Sequence, residues 1–569
     1  MITAATSQPA PALEYDVVVL GSGAGGLAAA TVAANEGARV LLLEKESSFG
    51  GSTAISGGVV WIPDNPEMAR LGMADSRHAA RRYLDQVIGN HMRPDLVDAF
   101  LENGPAMVRY LHEHSSLRLI PREVAPDYYT HLEGASHGGR SMDPQVFDGR
   151  TLGKWFGKLR APLPSFLVFG GMVGRKEIDH LLGTFKSPSK FVQTVSLVSS
   201  FMRDRLTHGR GTRLLAGNAL AAQMLKSAID AGVTLWSDVT VTALVPQDGR
   251  VSRIEMQQDG QALTVTAARG IVLAGGGSAA NAAAMRPHLA TPDHHYSMAP
   301  SGNVGDLQTL ATQLGARIDD RVVDPANYTP VSVFRDANGR ESRFPHLFLD
   351  RAKPGLIAVK ADGRRFVDEA TSYHRFVQGM LDVADGKAVP AWLICDAAFL
   401  RRYGMGLVRP GIGSYRQYLE SGYLRRGKTV AELAAQIGVP ASGLAEEVRR
   451  HNEYAKEGVD PDFGKGGNIY DEHQGDLTHK PNPCLGPIAK PPYYAVAVYP
   501  GDIGATRGLI TDARARVLDG DGAPIPGLYA CGNDMNSVMS GTYPGAGITL
   551  GPALTFGYMI GRELGAATA

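Results

Sequence analysis

Cysteine is scarce: the 569 residues include only Cys395, Cys484 and Cys531. Three cannot all pair and none has metal-ligand spacing, which excludes a disulfide scaffold and points to a reducing compartment. Net charge is missing as well, with 57 Lys and Arg against 57 Asp and Glu. A balanced chain has no global field with which to gather nucleic acid. Long apolar runs are absent too, since no stretch reaches the ~18 residues that a membrane span needs. Residues 1–14 read as a flexible N-terminus without the charged start and apolar stretch of a signal peptide. The expectation is a cytoplasmic protein with no metal constellation. Glycine is what the chain has in excess, 68 of 569 residues where ~7% is usual. Clustered between apolar runs, it suggests backbone held close to a large ligand.

The first cluster follows Tyr15 to Leu20, a β-branched apolar run of the kind that forms a buried parallel strand. Gly21, Gly23 and Gly26 fit G-x-G-x-x-G, with Ala24 and Gly25 between, and an Ala-rich helical stretch follows to Asn35. The three glycines permit a tight turn, close approach to a pyrophosphate and helix-on-strand packing. A second strand, Ala38 to Leu43, ends at Glu44 with Lys45 beside it, 18 residues after Gly26. That acid suits a ribose diol and repels the 2′-phosphate of NADP. A second cluster, Gly51-Ser52-Thr53 to Ser56-Gly57-Gly58, offers N–H and O–H donors along an extended cofactor. Gly275 and Gly276 end another apolar strand; Gly532-Asn533 and Gly547-Ile548-Thr549-Leu550 close the chain's last glycine clusters. NAD enzymes need no such third cluster, so the cofactor is read as FAD. The nucleotide-binding sheet is expected to draw on both ends of the chain: residues 15–300 and 487–569 form the FAD-binding domain, and 301–486 an inserted catalytic domain.

One segment departs from the neutral average. Residues 150–213 carry twelve basic side chains against three acids, Glu177, Asp179 and Asp204. Phe191, Val195, Val198 and Met202 recur there at the spacing of one helix face. Two readings stand: an amphipathic helix at a membrane surface, or a helix packed on its own domain with its cations in water.

Together these clusters resemble the fumarate reductase/succinate dehydrogenase flavoprotein superfamily over nearly the whole chain. The resemblance implies an α/β fold, a Rossmann-like FAD-binding domain with an inserted α+β catalytic domain. The sequence is more narrowly similar to the 3-ketosteroid Δ1-dehydrogenases, through Pro126-Asp127-Tyr128-Tyr129, Arg365-Phe366-Val367-Asp368-Glu369 with Tyr373, and Ser540-Gly541-Thr542-Tyr543-Pro544-Gly545-Ala546-Gly547. Fumarate reductases place an arginine proton donor where Tyr373 stands, and the flavin-linking histidine of succinate dehydrogenases is missing between Gly50 and Gly58. Non-covalent FAD is therefore expected. The resemblance implies that Tyr373 is the general base, supported by Tyr128 with Tyr129 as competitor. It implies that Tyr543 and the Gly547 N–H bind the 3-keto oxygen, and that carbon 1 gives hydride to the flavin in a 1,2-desaturation of a 3-keto-4-ene steroid. A reductase of an activated double bond, of the fumarate or urocanate kind, and a dehydrogenase of another cyclic ketone are the alternatives. Residues 148–211 resemble the extension of membrane-associated relatives that take cholest-4-en-3-one, which implies a lid and a peripheral contact with the inner face of the cell membrane. The electron acceptor is left open.

Overall fold

The computed structural model describes residues 13–168, 170–174, 188–411 and 414–566. Residues 1–12 of the expected flexible N-terminus lie outside these, as do Phe169, Arg175, Lys176, Glu177, Asp179 and Lys186 of the basic segment. Among the described residues no helix is long and apolar enough to cross a membrane.

The strand Leu13–Leu20 carries three consecutive valines, Val17 to Val19, all at most 1% exposed. Such a run suits a strand covered on both faces. It pairs in parallel with Val40–Leu43 on one side and Gln261–Leu273 on the other. Thr234–Trp236 extends the sheet beyond Val40–Leu43, and Pro524–Ala530 joins Gln261–Leu273 in parallel. Arg250–Gln258 and Val239–Gln247 complete an antiparallel wing. Strands from residues 13–273 and 516–530 thus share one eight-stranded sheet among the described residues.

The helices Ala24–Asn35 and Leu550–Gly565 pack tightly beside this sheet. Gly557, Gly561 and Gly565 recur every fourth residue, one stripe of the second helix. A methyl group at 557 would strike the Gly25 carbonyl oxygen, and one at 561 would lie 2.6 Å from the Val32 Cβ. The stripe lets two backbones touch, and so brings the start of one helix next to the start of the other.

A second sheet, of seven strands among the described residues, lies in the order Glu341–Pro345, Ala326–Arg335, Tyr493–Ala505, Ala391–Asp396, Leu356–Val359. Tyr296–Ser297 and Leu424–Gly427 also pair with Tyr493–Ala505. The longest strand of this sheet therefore lies beyond residue 486, where the sequence reading ends the inserted domain. Tyr493–Ala505 is apolar enough to serve either sheet, and periodicity does not say which neighbours it pairs with. Conversely, Leu307 and Ala311 of the helix Asp306–Thr312 belong to the core of the first sheet.

The helix Pro188–His208 docks through Phe201, 2% exposed, and Asp204, which accepts hydrogen bonds from the Thr212 N–H (3.0 Å) and hydroxyl (2.7 Å). The apolar stripe seen in the sequence faces away: Phe191 is 49% exposed, Val195 47% and Met202 58%, with Val198 half-buried. Val192 and Leu206 are exposed as well.

Candidate active site

A cleft of about 1570 Å³, counting its open mouth, runs along the ends of the first sheet. At one end Gly21 turns the chain with φ +109°, where a side chain would strike the Ala274 carbonyl. The helix that follows points its amino terminus into the cleft, a ready site for phosphate. Its first N–H is taken by Thr53 Oγ1 at 2.9 Å, which leaves the N–H groups of Gly25 and Gly26 to a ligand. Glu44 is 7% exposed. One carboxylate oxygen accepts from the Ser22 N–H (3.0 Å) and hydroxyl, the other from the Glu46 N–H (2.9 Å). These bonds fix its orientation and leave lone pairs for two ribose hydroxyls.

Lys45 reaches across the cleft, donating to the Gly302 carbonyl (2.6 Å) and to Asp306 (2.8 Å). Asn303 in the same loop bonds Ser52 Oγ (2.9 Å) and the Gly276 carbonyl (3.0 Å). Asp534 accepts from the N–H groups of Gly275 and Gly277, and burial pushes its carboxyl up to about 6. Gly51, Ser56, Gly57, Gly532, Asn533, Thr549 and Leu550 complete the lining expected from sequence. Gly58 and Gly547 are absent from it. Gly58 packs against the Ala216–Gly217 backbone, and Gly547 turns toward Trp61. The sequence reading missed Asn303 and Asp306, although Ser301-Gly302-Asn303-Val304-Gly305-Asp306 is itself a glycine cluster with polar residues. It also missed Arg160, Leu163 and Phe166, by which the basic segment reaches over the cleft.

The donor set matches FAD: phosphate-facing N–H groups, a ribose acid, and a wall continuing past Asn533 to Leu550 that a mononucleotide would leave empty. Cys531 is the thiol in the lining, and no histidine lines it among the described residues.

Three tyrosines from distant parts of the chain meet nearby. Tyr373 contacts Tyr543 (ring centroids 5.1 Å) and Tyr128 (5.8 Å), and Tyr128 stacks on Tyr543 at 5.6 Å. All three are at most 8% exposed. The Tyr373 hydroxyl is close enough to interact with both others, yet the Tyr128 hydroxyl has no well-aligned partner. Burial pushes Tyr373 and Tyr128 well above the usual phenol range, and Tyr543 up to about 12. Tyr129, the competitor for Tyr128, lies outside this cluster and contacts His131 instead.

Local structure explains each placement. Tyr373 opens the helix Tyr373–Asp382, capped by the Ser372 hydroxyl, which accepts from the Arg375 N–H. The Arg365 and Glu369 of its motif form a fully buried pair (2.7 Å) joined by Asp460 and Lys465. Burial acts upward on Glu369, but Arg365 and Lys465 hold it down to about 2. Tyr128 follows Asp127, which Trp61 Nε1 (2.9 Å) and Arg140 (2.8 Å) clamp. The Pro544 carbonyl accepts from both the Tyr128 N–H (2.9 Å) and the Tyr83 hydroxyl (2.6 Å), tying the Tyr128 segment to the Tyr543 loop. Gly547 has φ +101°, and its N–H donates to no protein group among the described residues.

Three neighbours of the cluster are not among the site residues expected from sequence. Tyr470 lies 4.9 Å from Tyr128, and Phe348 lies 5.6 Å from Tyr373. His374 is fully buried beside Tyr543, accepting from the Tyr328 N–H (3.1 Å) through Nδ1 and bonded to Asp324 (2.9 Å) through Nε2.

A dinucleotide cleft of this kind beside a buried cluster of tyrosines defines an FAD-dependent oxidoreductase. The FAD binding domain family matches residues 16–550. A 4-oxocyclohex-2-ene-1-carboxylate 5-dehydrogenase of Sinomonas cyclohexanicum is 38% identical, covering 96% of this chain and 93% of that one. A 3-oxosteroid 1-dehydrogenase of Mycobacterium tuberculosis is 35% identical, covering 96% and 97%. Among solved structures, the 3-ketosteroid delta1-dehydrogenase from Sterolibacterium denitrificans in complex with 1,4-androstadiene-3,17-dione is 39% identical, with TM-score 0.89 over 97% of this chain and 99% of that one. The chain belongs to the FAD binding domain family, in the branch that contains the 3-oxosteroid 1-dehydrogenases.

Proposed function

We propose that the protein is a 3-ketosteroid Δ1-dehydrogenase, and that Tyr373, Tyr128, Tyr543 and Gly547 carry the reaction. The observation behind this reading is the meeting of three buried phenols with a loop whose Gly547 N–H is unclaimed. A proton on the carbon beside a ketone becomes removable only when the carbonyl oxygen is stabilised as it takes on enolate charge. The Tyr543 hydroxyl and the Gly547 N–H are the two donors for that oxygen, on a loop tied to the Tyr128 segment through the Pro544 carbonyl. Tyr373, as phenolate, takes the proton from carbon 2 and becomes a neutral phenol, the charge passing to the enolate oxygen; the Tyr128 hydroxyl stabilises the phenolate beforehand. The 3% exposure of Tyr373 keeps bulk water from competing for it. FAD, held without a covalent bond by the cleft residues, supplies the hydride acceptor.

The Sinomonas relative makes a smaller cyclic keto acid the second reading. The same carbonyl and base residues would serve it, but its carboxylate needs a cation. The two arginines whose charge reaches Tyr128 are engaged elsewhere: Arg122 is paired to Asp143 (2.7 Å), and Arg351 bonds backbone carbonyls. A steroid, apolar beyond its ketone, fits these surroundings better. The test is to compare kcat/KM for androst-4-ene-3,17-dione and for 4-oxocyclohex-2-ene-1-carboxylate; a preference for the acid would reverse the assignment. Reduction of an activated double bond lacks the arginine donor at position 373.

The exposed stripe on Pro188–His208 supports peripheral attachment to an anionic bilayer. Arg203 and Arg205 are exposed on the same helix as Phe191, Val195 and Met202, the pairing of cations with an apolar face that an interfacial helix presents. A substrate that dissolves in lipid would reach the cleft past Phe166. The wild type is expected to float with anionic liposomes, and the Phe191→Glu/Val195→Glu/Met202→Glu variant to stay in the soluble fraction. Equal flotation of the two would reject the attachment.

A further inference from the structure

Every phenol in the cluster is buried, and burial alone makes phenolate hard to form. Something must favour charge on a tyrosine that takes up a proton at neutral pH. Arg122 acts downward on Tyr128 but is paired to Asp143 (2.7 Å); a second cation beside the cluster is Arg351, 3% exposed. It sits on the loop that follows Glu341–Pro345, and its guanidinium bonds four backbone carbonyls. Nε donates to His346 O (2.8 Å), Nη2 to Leu347 O (3.2 Å), and Nη1 to Glu369 O (2.8 Å) and Thr371 O (3.1 Å). Its backbone N–H donates to Asp350 (2.9 Å), but among the described residues no carboxylate forms an ion pair with its guanidinium, and burial pulls it below the ordinary arginine value. A buried charge without a carboxylate partner is costly, and a neutral side chain could have filled the same space.

Its position gives the cost a use. Arg351 holds Thr371, two residues before Tyr373, and lies 4.9 Å over the ring of Phe376, one turn further along the same helix. Its loop also presents Phe348 to the Tyr373 ring. Tyr470 and Tyr128 both feel its charge, and on Tyr470 it pulls down against the upward push of burial. The other charged groups around it are already matched. Asp350 is bonded by His346 (2.7 Å) and the Gly406 N–H (3.0 Å). Glu369 is held by Arg365 and Lys465. Burial and Asp368 push Asp471 up to about 9, so that pair shares a proton at neutral pH. Across the cluster, His374 is bonded to Asp324 and faces Tyr543.

We propose that Arg351 is a positioning residue whose fixed charge, on the Tyr470–Tyr128 side of the cluster, favours phenolate over phenol at Tyr373. The proposal rests on the reading of Tyr373 as the base. Arg351→Lys keeps the charge and loses part of the carbonyl clamp, whereas Arg351→Met keeps bulk and loses the charge. In the holoenzymes, the rising limb of the pH–rate profile for flavin reduction is expected about one pH unit or more higher in Arg351→Met. That makes it about tenfold slower at neutral pH. The Arg351→Lys limb is expected within about half a unit of wild type.

A second readout needs no substrate: ultraviolet titration of phenolate, with Tyr373→Phe as the reference lacking the phenol in question. The Arg351→Met protein should form that phenolate later than wild type. A rate that falls equally at every pH, a limb displaced as far in Lys as in Met, or an unchanged phenolate titration would overturn the proposal. If Arg351→Met fails to fold, the Lys variant decides through both readouts. A wild type that reduces its flavin with no ketone would instead overturn the functional reading, and the phenolate titration would still report on Arg351.

Discussion

Tyr373→Phe is expected to slow anaerobic reduction of the flavin by steroid about 10²- to 10⁴-fold, with FAD content and thermal stability close to wild type. The ring contacts with Tyr128, Tyr543 and Phe348 would survive the change, because they involve carbon atoms. The hydroxyl is close enough to interact with those of Tyr128 and Tyr543, but the Tyr128 hydroxyl already has no well-aligned partner, so the change orphans little. Stability therefore has little to lose, whereas proton abstraction loses its acceptor. A drop below about tenfold would move the base to Tyr128 or Tyr470, the next phenols in the cluster. Parallel loss of FAD would show that Tyr373 shapes the cleft rather than the chemistry.

Gly547→Ala is the second large effect. A methyl group there would lie 2.7 Å from both the Trp61 nitrogen and the Val59 carbonyl oxygen, which are backbone atoms that cannot step aside. The φ of +101° adds strain for any residue with a Cβ. The loop must shift, and the N–H assigned to the ketone shifts with it. Removal of one such donor costs about 10²- to 10³-fold in rate. Tyr543→Phe removes the other donor and leaves the loop in place, so it should show a loss of that size without the fall in stability expected of Gly547→Ala. Wild-type rates in Gly547→Ala would exclude its N–H from carbonyl binding.

The parts legible in the sequence are those in which one short segment does a complete job. Gly21 to Gly26 with Glu44 is a strand–turn–helix–strand unit, and its chemistry depends on residues within a span of about two dozen. Tyr128, Tyr373 and Tyr543 were legible through three separate motifs, and the fold brings them together. Arg351 and Tyr470 were not, because nothing near them in the chain signals a site; only the second sheet's pairing and the loops around it carry them there. His374 and Asn303 lie beside a motif or in a glycine cluster, but neighbourhood alone does not say which side chain turns toward the site. Gly58 shows the opposite failure. It lies in the right cluster, but its freedom serves close packing on Ala216 and Gly217. The stripe on Pro188–His208 was legible as a stripe, while its direction was set by Phe201 and Asp204 on the docked face. Periodicity describes both faces of a helix and does not say which one is covered.

The most direct measurement is anaerobic mixing of the purified holoenzyme with androst-4-ene-3,17-dione while the flavin's visible absorbance is followed. Rapid bleaching is expected, with one 1,4-diene formed for each flavin reduced. A flavin that is present and stays oxidised with the steroid, but bleaches with the small keto acid or accepts electrons only to reduce a double bond, would contradict the assignment.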